Sequence, residues 1–205
     1  MVANADHEHA AAELADIATP RLSLRLMSLE FLNACLRGDR AGAEHLLGCH
    51  VPDEFFYAQD FMAMRTLQLR GDAAYAPFGP RAMVLQSTKE MAGHIGFHTP
   101  PNPEYLAATV GEGIELGYTV IAARRRMGLA EEAVRGMIDW AQRRHGVTRF
   151  IASIAPHNLA SQRLAAKLGF VKVSEQIDDV DGPEDVLLLR LLQDAAGGLP
   201  QFKQH

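Results

Sequence analysis

Alternating apolar and basic residues in RLSLRL, residues 21–26 behind Pro20, predict a first strand with one buried face. The spacing then turns helical in SLEFLNACLRG. Ser28 can cap that helix, Leu29, Leu32, Leu36 and neighbouring Cys35 form its apolar stripe, and Gly38 supplies its stop. Helical spacing returns over residues 39–47 and in AQDFMAMRTLQLRG, which ends near Gly71, so the first third of the chain reads as largely helical.

The middle has a shorter period. RAMVLQSTKEMAGHIGFH holds two apolar runs split by polar residues, the pattern of a hairpin over about residues 82–98. Its second strand places Ile95 and Phe97 on one face and His94, Gly96 and His98 on the other. After the proline-rich TPPNPEYL, the segment GIELGYTVIA predicts a further strand in which Gly117 invites a bulge or a close approach. From Gly128 the apolar positions Ala130, Ala133, Val134, Met137, Ile138 and Ala141 share a helix face that ends before Gly146, and Trp140 reads as core. TRFIASIA is a strand. Asn158 can cap a short helix through Leu168 that Gly169 closes, and FVKVSEQI and DVLLLRLL are two last strands joined by the turn-rich DDVDGPE. The pattern adds up to a mixed α/β fold, a sheet of about seven strands with a strand-helix-strand unit in its second half.

At 205 residues the chain can bury a full core as one domain, taken as residues 19–192, with tails at 1–18 and 193–205. A net charge of −5 argues against a general grip on nucleic acid or an anionic membrane, so an anionic ligand must be met locally. Cys35 and Cys49 read as small buried apolar residues in a reducing compartment. The opening MVANADHEHAAAELADIA lacks a basic start and a continuous apolar stretch, which points to a cytoplasmic protein. His7 and His9 lie there without partners at metal-site spacing, and no metal is expected.

One stretch departs from the acidic balance. In ARRRMGLA the strand must turn sharply into a helix, whose first N–H groups are unpaired and carry partial positive charge. Gly128 allows a close backbone approach, and Arg124, Arg125 and Arg126 add side-chain donors. These residues either solvate a loop or cradle a phosphate-bearing ligand. The glycine spacings of the lysine phosphate loop and of the dinucleotide fold are both absent.

RRMGLA, residues 125–130, resembles the acetyl-CoA signature of the GNAT superfamily of N-acetyltransferases, and IELGYTV before it and PHNLASQRLAAKLGFVKV after it are similar to the adjoining strand and later helix of its RimJ/RimL-like branch. The resemblance implies a mostly antiparallel central sheet flanked by helices and splayed between its fourth and fifth strands. It implies that the cofactor's diphosphate lies on the backbone of Arg125, Arg126, Met127, Gly128, Leu129 and Ala130. The pantetheine arm would pair near Val120 and Ile121, with Asn158 beside it.

The implied reaction is direct acetyl transfer from acetyl-CoA to a primary amine, in a protein N-terminus or a small molecule, within a ternary complex. Such an amine, with a reference pKa of about 8 for an α-amine, must lose a proton before attack. Glu115 is the first candidate base and His98, then His94, the alternatives, although an ion-paired Glu115 and half-buried histidines fit the pattern equally. Where many relatives place a tyrosine acid this chain has Ala165, which leaves Ser161 as a candidate donor to the thiolate. HTPPNPEYL reads as a surface connection or as a wall of the acceptor cleft. A non-catalytic acyl-CoA-binding module is the alternative function, and a homodimer is compatible with either.

Overall fold

The computed structural model describes residues 13–178 and 182–191. The chain divides into two compact units, each assembled from separate stretches: residues 1–97 with 118–140, and residues 98–117 with 141–205.

In the first unit the strands lie in the order β1 (Ile17–Ala18), β2 (Leu22–Leu26), β3 (Arg81–Leu85) and β4 (Met91–Phe97), each antiparallel to the next. The alternation in LSLRL does what it predicts, since Leu22 and Leu24 are fully buried while Ser23 and Arg25 are half-buried. Helix α1 (Leu29–Leu36) starts where Ser28 accepts a hydrogen bond from the Phe31 N–H. Its buried face is centred on Phe31, Leu32, Ala34 and Cys35, so Leu29 and Leu36 sit at the margin of the stripe rather than within it.

Helix α2 (Arg40–Leu47) is capped by Asp39, and a short α3 (Asp53–Phe56) precedes α4 (Gln59–Gly71). Their apolar faces close over Met27, Ala82, Val84 and Met91 to make the unit's core. Arg81 is a feature that periodicity does not announce. Fully buried at the start of β3, it donates from Nη1 to the Ala15 and Leu24 carbonyls and lies 5.3 Å over the Trp140 ring. Burial lowers its guanidinium pKa to about 10, which leaves it cationic at neutral pH.

In the second unit the order is β5 (Ile114–Val120), β6 (Arg149–Ile154), β8 (Gly182–Arg190) and β7 (Val171–Asp178). β5 and β6 run parallel, and the other neighbours are antiparallel. A short α5 (Glu104–Ala107) and α7 (Leu159–Leu168) belong here, and Leu106, Val110, Ile151, Val186 and Leu188 form the local core. β5 ends in the first unit, and α6 (Leu129–His145) begins there and ends in the second.

Mostly antiparallel strands with flanking helices are thus the architecture, in the mixed α/β class expected. Among the described residues eight strands stand where about seven are expected, because the two-residue β1 is too short for a periodicity to show. The turn-rich DDVDGPE lies partly, and the tail histidines His7 and His9 wholly, outside the described residues.

Candidate active site

Within the second unit a carboxylate is buried in the middle of a polar cluster. Glu115 on β5 is 4% exposed. Its Oε1 accepts from the Ser153 hydroxyl, and its Oε2 accepts from Tyr105 Oη at 2.8 Å and faces His98 Nδ1 at 3.5 Å. Each donor arrives from a different element: Ser153 from β6, Tyr105 from α5, and His98 from the segment that hydrogen-bonds to β5 through its own N–H to the Glu115 carbonyl at 2.9 Å.

Register explains the meeting. Glu115 pairs with Ile151 across the parallel strands, so Ser153, two residues on, shares its face. The proline-rich segment is pinned to the start of β5 by reciprocal bonds, from the Asn102 N–H to the Gly113 carbonyl and from the Gly113 N–H to Asn102 Oδ1. That holds Tyr105 over the strand. Gly117 is the close approach its sequence invited: a Cβ there would lie 2.7 Å from His98 Nε2, so the missing side chain makes room for the imidazole.

Burial acts to raise the pKa of Glu115. The hydrogen bond and charge of His98, with the hydroxyls of Ser153 and Tyr105, outweigh it and bring the carboxyl down to about 2. The group is therefore ionised across the neutral range and accepts a proton poorly. His98 sets Nδ1 toward the carboxylate at 3.5 Å, and Nε2, on the opposite edge of the ring, lies over Gly117. His94 lies in the first unit, stacked on Phe61 at 4.2 Å and edge-on to Phe55 at 5.9 Å, where burial lowers its pKa to about 4. It is an aromatic-cluster residue.

Also in the second unit, Asn158 caps α7 by accepting from the Ser161 N–H at 3.2 Å. The same bond places Ser161 in the first turn of that helix, while Ala165 is buried on its inner face.

Within the first unit, β5 leaves through a single 3₁₀ turn (Ala122–Arg124) and enters α6 at Gly128, whose φ is 75°. Arg126 also has a left-handed φ of 61°, a strained value for a residue with a side chain. The Gly128 carbonyl accepts from the Glu132 N–H at 3.2 Å, so the N–H groups of Leu129, Ala130 and Glu131 are the ones an α-helix leaves without internal acceptors. Two of the three arginines have local work: Arg124 pairs with Glu90, and Arg125 Nε donates to the Val120 carbonyl at 3.0 Å. Ile121 is committed on both sides, its N–H to the Ala92 carbonyl at 2.9 Å and its carbonyl to the Arg124 N–H at 2.8 Å. The strand end is held close to β4, where a Cβ on Gly93 would fall 2.2 Å from the Thr119 carbonyl oxygen.

A strand, a left-handed glycine turn and a helix with an open first turn coincide with a family model. The model described as an acetyltransferase (GNAT) domain matches residues 21–171. The chain belongs to the GNAT acetyltransferases. It is 27% identical over 158 residues to an uncharacterised N-acetyltransferase, YjdG, of Bacillus subtilis, covering 76% of this chain and 89% of that one. The fold is similar to that of a GNAT-family acetyltransferase from Bordetella pertussis, with a TM-score of 0.62 at 24% identity over 85% of this chain and 98% of that one. It is also similar to Mycobacterium smegmatis RimJ, solved in complex with CoA-disulfide, with a TM-score of 0.61 at 20% identity over 92% and 91% of the two chains.

Of the residues that the GNAT resemblance marks, Glu115 and His98 are brought together, whereas Ser161 and Asn158 join each other in the cap of α7. Tyr105 and Ser153 were not marked. Tyr105 sits in a segment that reads as a loop, and Ser153 becomes a partner of Glu115 only once the β5–β6 register is known. Among the described residues no helix is long and apolar enough to cross a membrane.

Proposed function

We propose that this acetyltransferase moves an acetyl group from acetyl-CoA to a primary amine by direct attack in a ternary complex. The observation that carries this reading is the turn at Gly128, a left-handed glycine opening a helix whose first N–H groups lack internal acceptors. Backbone donors of the Arg125–Ala130 turn hold the diphosphate there, those beyond Arg125 above all because the Arg125 N–H serves the Ala122 carbonyl at 3.3 Å, with Arg126 and Met127 exposed at the same turn. The pantetheine arm lies along Val120 and Ile121. The Ile121 main-chain groups are engaged and the Val120 carbonyl already accepts from Arg125 Nε, so the arm packs along this strand end with few main-chain bonds to it. On the GNAT resemblance we assign Asn158 to the arm as well, through its amide NH₂, since its Oδ1 serves the helix cap.

Acetyl-CoA supplies the activated acyl group. The attacking amine must be neutral, and a carboxylate with a pKa of about 2 is a weak acceptor for its proton. We therefore assign the proton to His98 Nε2, directly or through a water, with Glu115 holding the ring and stabilising the imidazolium that forms. Tyr105 and Ser153 keep Glu115 ionised for that task. Ser161 is the donor we assign to the departing thiolate, in a helix turn where Ala165 supplies no hydroxyl.

A protein N-terminal α-amine is the acceptor class we place first. The motifs similar to the RimJ/RimL branch support it, as does the lower basicity of an α-amine, about 8 against about 10.4 for lysine, which leaves more of it neutral. The test is release of CoA thiol from acetyl-CoA with a panel of peptides and small amines. We expect amine-dependent release. His98→Gln should lower kcat about a hundredfold with little change in the KM for acetyl-CoA. Binding of acetyl-CoA with no acceptor-dependent release would overturn the transfer reaction, and an unchanged kcat in H98Q would remove His98 from it.

A further inference from the structure

Around the Gly128 turn stands a basic side chain that belongs to neither the turn nor its helix. Arg21, the first residue of the RLSLRL run, lies in the same unit as α6. Its Nε donates to Glu132 Oε2 at 2.6 Å, its backbone N–H donates to Glu132 Oε1 at 2.7 Å, and its Nη1 donates to the Met127 carbonyl at 2.9 Å. Thr19 completes the grip, its hydroxyl donating to Glu132 Oε1 at 2.6 Å. The third nitrogen, Nη2, is 3.4 Å from the point where a Cβ on Gly128 would be, and among the described residues no other atom from outside the turn lies within 4 Å of that point.

Charge makes this arrangement informative. Two glutamates occupy the first turn of α6, Glu131 and Glu132. Such carboxylates suit a helix N-terminus but repel an anion brought to the same N–H groups. Glu131 is drawn back along the helix by Arg135 at 3.2 Å, and Glu132 is neutralised by Arg21. The arginines of the turn are differently placed, Arg124 being paired with Glu90 and Arg125 bonded to the Val120 carbonyl.

We propose that Arg21 is a phosphate-binding residue of the cofactor cradle: Glu132 and the Met127 carbonyl fix its guanidinium by two nitrogens, and the third donates across Gly128 to a phosphate oxygen of coenzyme A. The inference rests on the diphosphate lying at the Gly128 turn. It adds a ligand from the start of β2, more than a hundred positions away in sequence, and gives Glu132 the role of positioning that ligand. The planar fork is essential, because a lysine ammonium cannot span Glu132, the Met127 carbonyl and the space above Gly128 together. Glycine at position 128 answers to its φ of 75°, and the absent Cβ leaves the space beneath Nη2 open to a ligand.

The test is calorimetric titration of the full-length protein with coenzyme A at several ionic strengths, with wild type, Arg21→Gln and Arg21→Lys compared after their thermal unfolding confirms a folded state. Loss of one charge-assisted hydrogen bond at a half-exposed site should weaken binding about tenfold in R21Q. Because a charge at the phosphate is removed, the affinity of R21Q should also fall less steeply with added salt. R21K should keep the salt dependence and recover only part of the affinity. A folded R21Q that binds within twofold of wild type overturns the proposal. So does weakened binding with an unchanged salt dependence, the mark of a structural brace alone. Should R21Q not fold, R21K decides: wild-type affinity there overturns the assignment. A wild-type protein that binds no coenzyme A at all shows instead that the cradle itself has been misplaced, and the role of Arg21 falls with it.

Discussion

At Glu115 burial and its polar partners oppose each other. Taking the carboxyl out of water favours its neutral form, while His98, Ser153 and Tyr105 favour the charged one and prevail, so the folded pKa of about 2 lies well below that of an ordinary glutamate. A carboxyl depressed in the folded state adds stability above its unfolded pKa of about 4.3 and loses it as pH falls toward the folded value. The contribution at neutral pH is on the order of 3 kcal/mol. Glu115→Gln should therefore melt roughly 5–10 °C below wild type at pH 7. The difference should shrink steadily from about pH 5 down to about pH 2, the window in which the unfolded wild-type carboxyl is protonated while the folded one still holds its charge. Thermal unfolding of both proteins across that range is the measurement, and a difference that does not vary with pH would mean that the cluster does not hold the charge.

Strand β4 shows what its glycines are for. A Cβ on Gly93 would meet the Thr119 carbonyl oxygen at 2.2 Å and the Val120 Cα at 3.0 Å, both backbone atoms that cannot swing aside. Gly71 at the end of α4 has nothing within 4 Å of the same point. Gly93→Ala should therefore lower the melting temperature by about 3–10 °C, the usual range for an overpacked site, whereas Gly71→Ala should leave it unchanged or slightly raised. Equal melting of the two variants would show that the end of β5 does not press on β4. Signals of this local kind are what the sequence displays well. Asn158 and Gly169 bound α7, and Gly128 and Gly146 bracket α6, because caps and left-handed residues act within one turn of where they stand. Long-range partners leave no such mark. Ser153 and Tyr105 look like any strand serine and loop tyrosine until the register brings them to Glu115, and Arg81 reads as a strand-end cation although it is fully buried among carbonyls. Arg21 was legible only as half of an alternation, and its bond to Glu132 spans 111 positions.

Connectivity sets the largest scale. Neither compact unit is a continuous segment, since β5 and α6 each start in one and finish in the other. The first unit draws residues 118–140 from far along the chain, and they bring Trp140, 8% exposed. That ring stacks on Phe97 at 6.3 Å, meets Phe78 edge-on at 5.6 Å and lies beneath the buried Arg81 guanidinium. Without it the faces of Phe78 and Phe97 lose their packing partner, and loss of a buried ring of this size costs about 3–5 kcal/mol against a typical stability of about 5–15. A fragment of residues 13–97 should therefore show no cooperative thermal transition, although strands β1 to β4 all lie within it. Joining residue 97 to residue 118 through a flexible linker, and ending at residue 145 to complete α6, should restore one. The protein has a single tryptophan, so its fluorescence reports the outcome directly: a blue-shifted emission that moves to the red in one sigmoidal step on heating. A cooperative transition in the 13–97 fragment alone would show that Trp140 and the returning segment are accessories to a core that already stands.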